Sequence, residues 1–208
     1  MPHAPDLYAV ILAAGESTRM GTDKALLPWP PATPGSPLTG QTFLSAAIRA
    51  LYPFSDKVIV VVGKNEQTLA PIIYAHGASL VRNPDPERGQ FSSLHVGLQE
   101  VMNDGRDSAM ITLVDRPPAN AATLKILCAA FTEAPNEIWA VVPEYQGKHG
   151  HPFLVAREMI GAFLKAPTTA SARDIEHQNL PHVSYVVVDD PRIALNVDTP
   201  QEYAALSQ

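Results

Sequence analysis

Apolar and polar positions along this chain fall into blocks of two kinds. Near-continuous apolar runs, rich in β-branched residues, recur at 8–13, Lys57–Val62 (KVIVVV), 78–81, 109–114 and 138–142. Between them lie segments with apolar residues three or four apart. In 42–51 these are Phe43, Leu44, Ala47, Ile48 and Leu51; in 65–74 they are Leu69, Ile72 and Ile73. The segments 92–102 and 120–131 repeat the pattern, with Asn120 placed to cap the latter. The first kind of block predicts buried strands and the second amphipathic helices. The last third is less regular. It predicts strands at 152–155 and 183–188 and helices at 157–164, 171–177 and 200–206, the last capped by Thr199 with Pro200 at its first position. Such alternation predicts an α/β fold of three layers, Rossmann-like, with a mostly parallel central sheet and helices on both faces. The stretch 28–40 holds five prolines and two glycines and reads as a loop rather than a linker. The whole span 1–208 therefore reads as a single domain.

Composition narrows the function classes. A chain of 208 residues can bury one good core unaided. Its formal net charge of −6 repels a phosphate backbone at long range and argues against nucleic acid as a partner. Basic residues gathered in one loop then stand out. Cys128 shares a helical stripe with Leu124, Leu127 and Phe131 and reads as a core residue. One cysteine allows no disulfide within the chain, which fits a reducing compartment. No apolar segment approaches the length of a membrane span, and the N-terminus lacks a basic leader, so the cytoplasm is the expected location.

The candidate chemistry begins where the first strand ends, at LAAGESTRMGTDK (residues 12–24). In an open α/β sheet, ligands bind beyond the carboxyl ends of strands. Ala13, Ala14 and Gly15, following Leu12, let the backbone approach a ligand closely, and backbone N–H groups in such a turn face anions. Arg19 offers a planar fork for phosphate oxygens and Lys24 a compact positive charge. The glycine spacing is G-x5-G, which matches neither the dinucleotide fingerprint nor the P-loop. Asp115 is the first residue beyond the 109–114 strand and is a natural ligand for a hard cation; its simpler reading is a turn before Pro117. Asp198 could be the second carboxylate on the same ion, or it could only help Thr199 start the last helix. Asn83 follows a strand, and Gly89 and Ser92 lie where a helix begins whose N-terminus suits an anion or polar ligand, with Ser92 equally well read as a plain N-cap. His149 and His151 lie two apart and make a poor metal pair on a strand, so a substrate-facing or structural role is expected. Asp189-Asp190-Pro191 reads as a turn, and Trp29 and Trp139 as packing residues.

Taken in order, these residues resemble the molybdenum-cofactor nucleotidylyltransferases, a group with a glycosyltransferase-A-like, Rossmann-related fold. The likeness rests on LAAGxSxRMGxxK at 12–24, Gly89-Gln90 with Ser92-Ser93-Leu94, Asp115-x-Pro117, Gly150-His151-Pro152 and Asn196-x-Asp198-Thr199-Pro200. It implies that CMP moves from CTP to a phosphorylated acceptor, above all molybdopterin, with release of pyrophosphate. The implied catalytic residues are Arg19, Lys24 and Asp115, with Mg²⁺ held by Asp115 and Asp198. The nucleotide would meet Leu12, Ala13, Ala14, Gly15, Arg19, Lys24, Asn83, Gly89 and Ser92. The acceptor would meet Ser93, His151 and Asn196. The resemblance also implies contact with a molybdoenzyme or its chaperone. Ala14 resembles the cytidylyl branch, whereas Thr22–Leu27 is nearer the guanylyl branch. Two departures stand: the loop 28–40 is longer than usual, and 168–173 lacks the acidic and glycine positions of relatives. Three readings remain beside this one: a GTP-dependent or sugar-phosphate nucleotidylyltransferase, a nucleotide-binding regulator without catalysis, and a dinucleotide-binding oxidoreductase disfavoured by glycine spacing.

Overall fold

The computed structural model describes residues 6–15, 20–31, 40–167 and 169–206. In chain order the elements are β1 (Tyr8–Leu12), α1 (Phe43–Leu51), β2 (Lys57–Val62), α2 (Glu66–Ala75), β3 (Ser79–Arg82), α3 (Gln90–Asn103), β4 (Ala109–Leu113) and α4 (Ala121–Glu133). They continue as β5 (Ala140–Tyr145), β6 (Lys148–His149), β7 (Phe153–Val155), α5 (Arg157–Lys165), α6 (Ala172–Gln178), β8 (Val183–Val187) and α7 (Pro200–Ala205). One sheet runs in the order β3-β2-β1-β4-β7-β5-β6, with β8 paired to β5. The pairings β3-β2, β2-β1, β1-β4 and β5-β8 are parallel; β7 and β6 pair antiparallel.

Side-chain alternation explains the three layers. Ala9 and Ile11 of β1 join Val58 and Val60 of β2 against Leu44 and Ile48 of α1, Leu69 and Ile73 of α2, and Leu124 and Leu127 of α4. Val10 and Leu12 face the other way, with Ile59 and Val61, against Leu94 and Leu98 of α3 and Met159, Ile160 and Phe163 of α5. A sheet covered on both faces needs apolar residues at every position, which is why its strands read as unbroken apolar runs. Cys128 lies in the first of these clusters, and burial pushes its thiol up to about 11, so it is inert as a nucleophile. Among the described residues, no helix is long and apolar enough to cross a membrane.

The predicted elements appear with shifted ends. Thr42, Asn120, Ser171 and Thr199 all cap their helices through side-chain oxygens. Helix α3 differs. It starts at Gln90 behind Gly89, whose φ of 92° favours glycine, so Ser92 is no N-cap. Strand β5 extends to Tyr145 and turns through Gln146 and Gly147 into β6, a hairpin that periodicity did not predict.

Sheet order positions the site. The chain moves from β1 outward through β2 to β3, then returns to place β4 on the other side of β1. The carboxyl ends of β1 and β4 therefore lead away in different directions and open a crevice between them. Their last residues, Leu12 and Leu113, are register partners, so residues 13–15 and 114–116 leave the sheet side by side.

Asp190 is more than the turn residue that its sequence suggests. It is 1% exposed. Its Oδ2 accepts from the Asn120 backbone N–H at 2.8 Å and the Thr123 hydroxyl at 3.2 Å, and its Oδ1 accepts from Arg192 Nε at 3.0 Å. A buried carboxylate thus ties the start of α4 to the segment that leads to Asn196 and Asp198. Replacing Asp190 with Ala strands buried donors and should cost about 2–4 kcal/mol in urea denaturation; a loss below about 0.5 kcal/mol, ordinary for a surface change, would contradict this role.

Candidate active site

The loop after β1 is held at both ends by Asn65, whose place in the sequence marks only the start of a helix. Its Nδ2 donates to the Ala13 carbonyl at 2.9 Å and to Asp23 Oδ2 at 2.7 Å, and its Oδ1 accepts from Gly63 N at 3.0 Å. Asp23 in turn accepts from Ala25 N at 3.0 Å and starts the short helical turn that carries Lys24. Arg19 lies outside the described residues, as do 32–39 of the proline-rich loop and Thr168.

Lys24 reaches into the crevice with its side chain 10% exposed. Its Nζ lies 2.6 Å from Asp198 Oδ1 and 3.2 Å from Asp115 Oδ2. The distant Asp198 is brought here by backbone. Val197 N donates to the Asp115 carbonyl at 3.0 Å, while Arg116 Nη1 donates to the carbonyls of Ile193 at 3.3 Å and Leu195 at 3.2 Å. Asn196 Nδ2 donates to Asp198 Oδ2 at 2.5 Å and fixes that carboxylate. Glu202 accepts from the backbone N–H groups of Asp198 and Thr199 at 2.7 and 2.8 Å, which holds its carboxyl below the usual range.

The residues present suit a divalent cation. Asp115 Oδ1 is buried with no hydrogen-bond partner among the described residues. An acceptor oxygen left so is costly until a donor, a water or a cation meets it. The described residues hold no group of three or more His, Cys, Asp or Glu able to bind a metal. Two carboxylates with the remaining positions left to phosphate and water match the way Mg²⁺ is bound.

Two connected hollows flank these groups. The smaller, about 480 Å³, is walled by Ala14, Gly15, Lys24, Ser93, Asp115, Asn196 and Asp198. The larger, about 940 Å³, shares Leu12, Gly89, Gln90, Leu113 and Arg116 with it. Phe91, Phe153, Met159 and Phe163 give the larger one apolar walls, and Arg88, Lys148 and Arg173 give it a basic lining. His149 lines it too, stacked on Tyr185 with ring centroids 3.8 Å apart. Tyr185 donates to Glu176 Oε1 at 2.9 Å, and burial with that carboxylate pushes its phenol up to about 12.

The MobA-like NTP transferase domain family matches residues 9–183. The chain belongs to that family. Its members are nucleotidyltransferases. The chain is 34% identical over 140 residues to the "Probable molybdenum cofactor guanylyltransferase" of Rhodopirellula baltica, a match covering 66% of this chain. That match spans about 63% of the relative's own length. It is 25% identical over 196 residues to the "Molybdenum cofactor cytidylyltransferase" of Escherichia coli, covering 93% of this chain and 92% of that one. Among solved structures, Rv0371c of Mycobacterium tuberculosis superposes with a TM-score of 0.79 at 26% identity, over 97% of this chain and 98% of that chain. A manganese complex of that protein superposes at 0.74 with 24% identity over 97% of each chain.

Within this MobA-like domain the expected site residues divide. Leu12, Ala14, Gly15, Lys24, Gly89, Ser93, Asp115, Asn196 and Asp198 line the smaller hollow. Ala13 is 1% exposed and lies behind it, its N–H on the Val61 carbonyl at 2.8 Å. Asn83 and Ser92 line neither hollow. Asn83 is 2% exposed and donates to the hydroxyls of Ser92 and Ser93 at 2.9 and 3.0 Å. Both are turned inward to hold the Gly89 turn, because an amide at a strand end can serve backbone and hydroxyl groups as well as a ligand. Ser93 and Asn196, expected at the acceptor, sit beside the carboxylates; of that trio only His151 lines the larger hollow. Gly150 precedes it for a steric reason: a Cβ there would lie 2.0 Å from the Ile193 backbone oxygen.

His151 Nδ1 lies 3.4 Å from the Ile111 carbonyl. Burial pushes the imidazole down to about 3, and the nearby Arg116 guanidinium adds to the effect. In the unfolded chain the same ring takes a proton below about 6.5. Stability carried by the neutral ring is therefore complete above pH 6.5 and is lost as pH falls from there toward 3. The loss approaches about 1.4 kcal/mol per pH unit as an upper bound. Urea unfolding between pH 7 and 5 should show this slope for the parent chain and a shallower one for His151→Gln; equal slopes would mean that the ring protonates freely in the fold.

Proposed function

We propose that this chain is a molybdenum-cofactor nucleotidylyltransferase that moves CMP from CTP to the phosphate of molybdopterin and releases pyrophosphate. The observation that carries the reading is Lys24 set between Asp115 and Asp198 at the edge where β1 and β4 part. An acceptor phosphate oxygen attacks the α-phosphorus, the new P–O bond forms, and the bond to the β-phosphate oxygen breaks with the electron pair leaving on pyrophosphate. A phosphate nucleophile is already ionised at neutral pH, so no general base is needed. Backbone around Ala14 and Gly15 would receive the nucleotide closely, and Arg19 with Lys24 would offset the charge that grows on the leaving group. Asp115 and Asp198 would hold Mg²⁺, which when bound supplies charge to draw acceptor and α-phosphate together. The larger hollow suits a flat, partly apolar acceptor with an anionic group, given its aromatic walls and basic lining. Neutral His151 would act there as a hydrogen-bonding group without charge.

Ala14 supports CTP through the resemblance of LAAG to the cytidylyl branch. A GTP-dependent reading has its own support, in the Thr22–Leu27 segment and in the name of the Rhodopirellula relative. Pyrophosphate release with CTP and with GTP, each with and without molybdopterin, separates these. The expected result is release that requires both CTP and molybdopterin; nucleotide bound without release under any condition would instead support a regulator. Asp115→Asn should lower kcat about 10²–10³-fold in a folded protein, whereas Lys24→Ala should act mainly on nucleotide KM. Undiminished turnover by Asp115→Asn would remove that residue from the chemistry.

A further inference from the structure

The carboxylate pair carries its own counter-cation. Lys24 Nζ sits 2.6 Å from Asp198 Oδ1 and 3.2 Å from Asp115 Oδ2, in the place between them that a shared ion needs. Without a cation there, two carboxylates held together repel each other in a partly water-excluded cleft. We propose that Lys24 is a built-in stand-in for the divalent cation, so that the ion enters with or after the triphosphate and not before it. This rests on the metal-site reading given under Proposed function.

Three features support the exchange. Asn196 holds the Asp198 carboxylate, and Val197 N on the Asp115 backbone carbonyl holds the main chain that carries the other, both without help from Lys24. The two residues therefore keep their places when it departs, and the Asp115 side chain is free to turn to the ion. The lysine head rides on a flexible four-carbon stem and can move while the backbone stays. Asp115 Oδ1, finally, is an oxygen that Lys24 does not reach, without a partner among the described residues, and that a cation with more coordination positions would meet. A triphosphate arriving beside Ala14 and Gly15 competes for the ammonium. Once drawn onto phosphate, Lys24 leaves a pair of charges that admits the ion. Nucleotide and ion then raise each other's affinity, and the coupling is reciprocal.

The test is Mn²⁺ binding, followed by the loss of the free-ion electron paramagnetic resonance signal. It uses the full chain, Lys24→Met and Asp115→Asn, without nucleotide and with a CTP analogue whose α,β-bridge cannot be cleaved. Lys24→Met should bind Mn²⁺ without nucleotide about tenfold tighter or more than the parent, the scale of one charge-assisted contact removed from competition. The parent should gain affinity with the analogue, beyond the analogue's own chelation as read from Asp115→Asn. If Lys24→Met binds no more tightly while the parent keeps Asp115-dependent binding with the analogue, the stand-in role is overturned and the metal site stands. If no form shows Asp115-dependent binding, the metal-site reading fails and the inference with it. Should Lys24→Met not fold, the parent answers the question alone. Mn²⁺ raised without nucleotide until the resonance shows the site filled by mass action should displace Lys24 and speed its acylation by an activated ester, read by peptide mass spectrometry, and an unchanged rate with the site filled overturns the proposal.

Discussion

An ammonium held between two carboxylates constrains three separate parts of this chain at once. Lys24 comes from the loop after β1, Asp115 from just past the end of β4, and Asp198 from the position before the Thr199 cap of α7. None of the three could be buried or half-buried alone at acceptable cost, because an uncompensated charge in a partly closed cleft loses its water. Together they are compensated, and the cleft walls can be close without closing. The sheet order makes the meeting available. Because β1 and β4 are adjacent and parallel, their exits lie side by side.

The elements around that triad are fixed by buried and half-buried polar side chains as well as by apolar packing. Asn65 clasps the two ends of the loop, Asn83 holds the Gly89 turn through two hydroxyls, and Asp190 fastens the segment before Asn196 to α4. Apolar contacts set how close two layers lie but leave loops free to slide. Directional hydrogen bonds remove that freedom, since a buried amide or carboxylate is costly in any arrangement that leaves it unpaired. Each of these residues therefore serves the site from behind it. The two hollows share Leu12, Gly89, Gln90, Leu113 and Arg116, so a molecule in one is a neighbour of a molecule in the other. Such adjacency is what group transfer between two bound partners requires.

The sequence by itself determined the architecture. Apolar runs buried on both faces, helical stripes between them, and capping residues such as Thr42, Asn120 and Thr199 all act within a few residues, so they are legible along the chain. It also pointed to Asp115, because a residue just beyond a strand end must lie at the sheet's rim, and to Lys24 as a basic residue in the loop that follows β1. Only the tertiary structure decided which of these meet. Lys24 and Asp198 are 174 positions apart, and nothing local states that Val197 will pair with the Asp115 backbone. The same distance hid Asn65 as a clasp and Asp190 as a buried tie, and it turned Asn83 and Ser92 inward where their residue types allowed either direction. Periodicity records what a residue does with its near neighbours. Contacts between distant segments depend on strand order and backbone pairing, and those exist only once the sheet has formed.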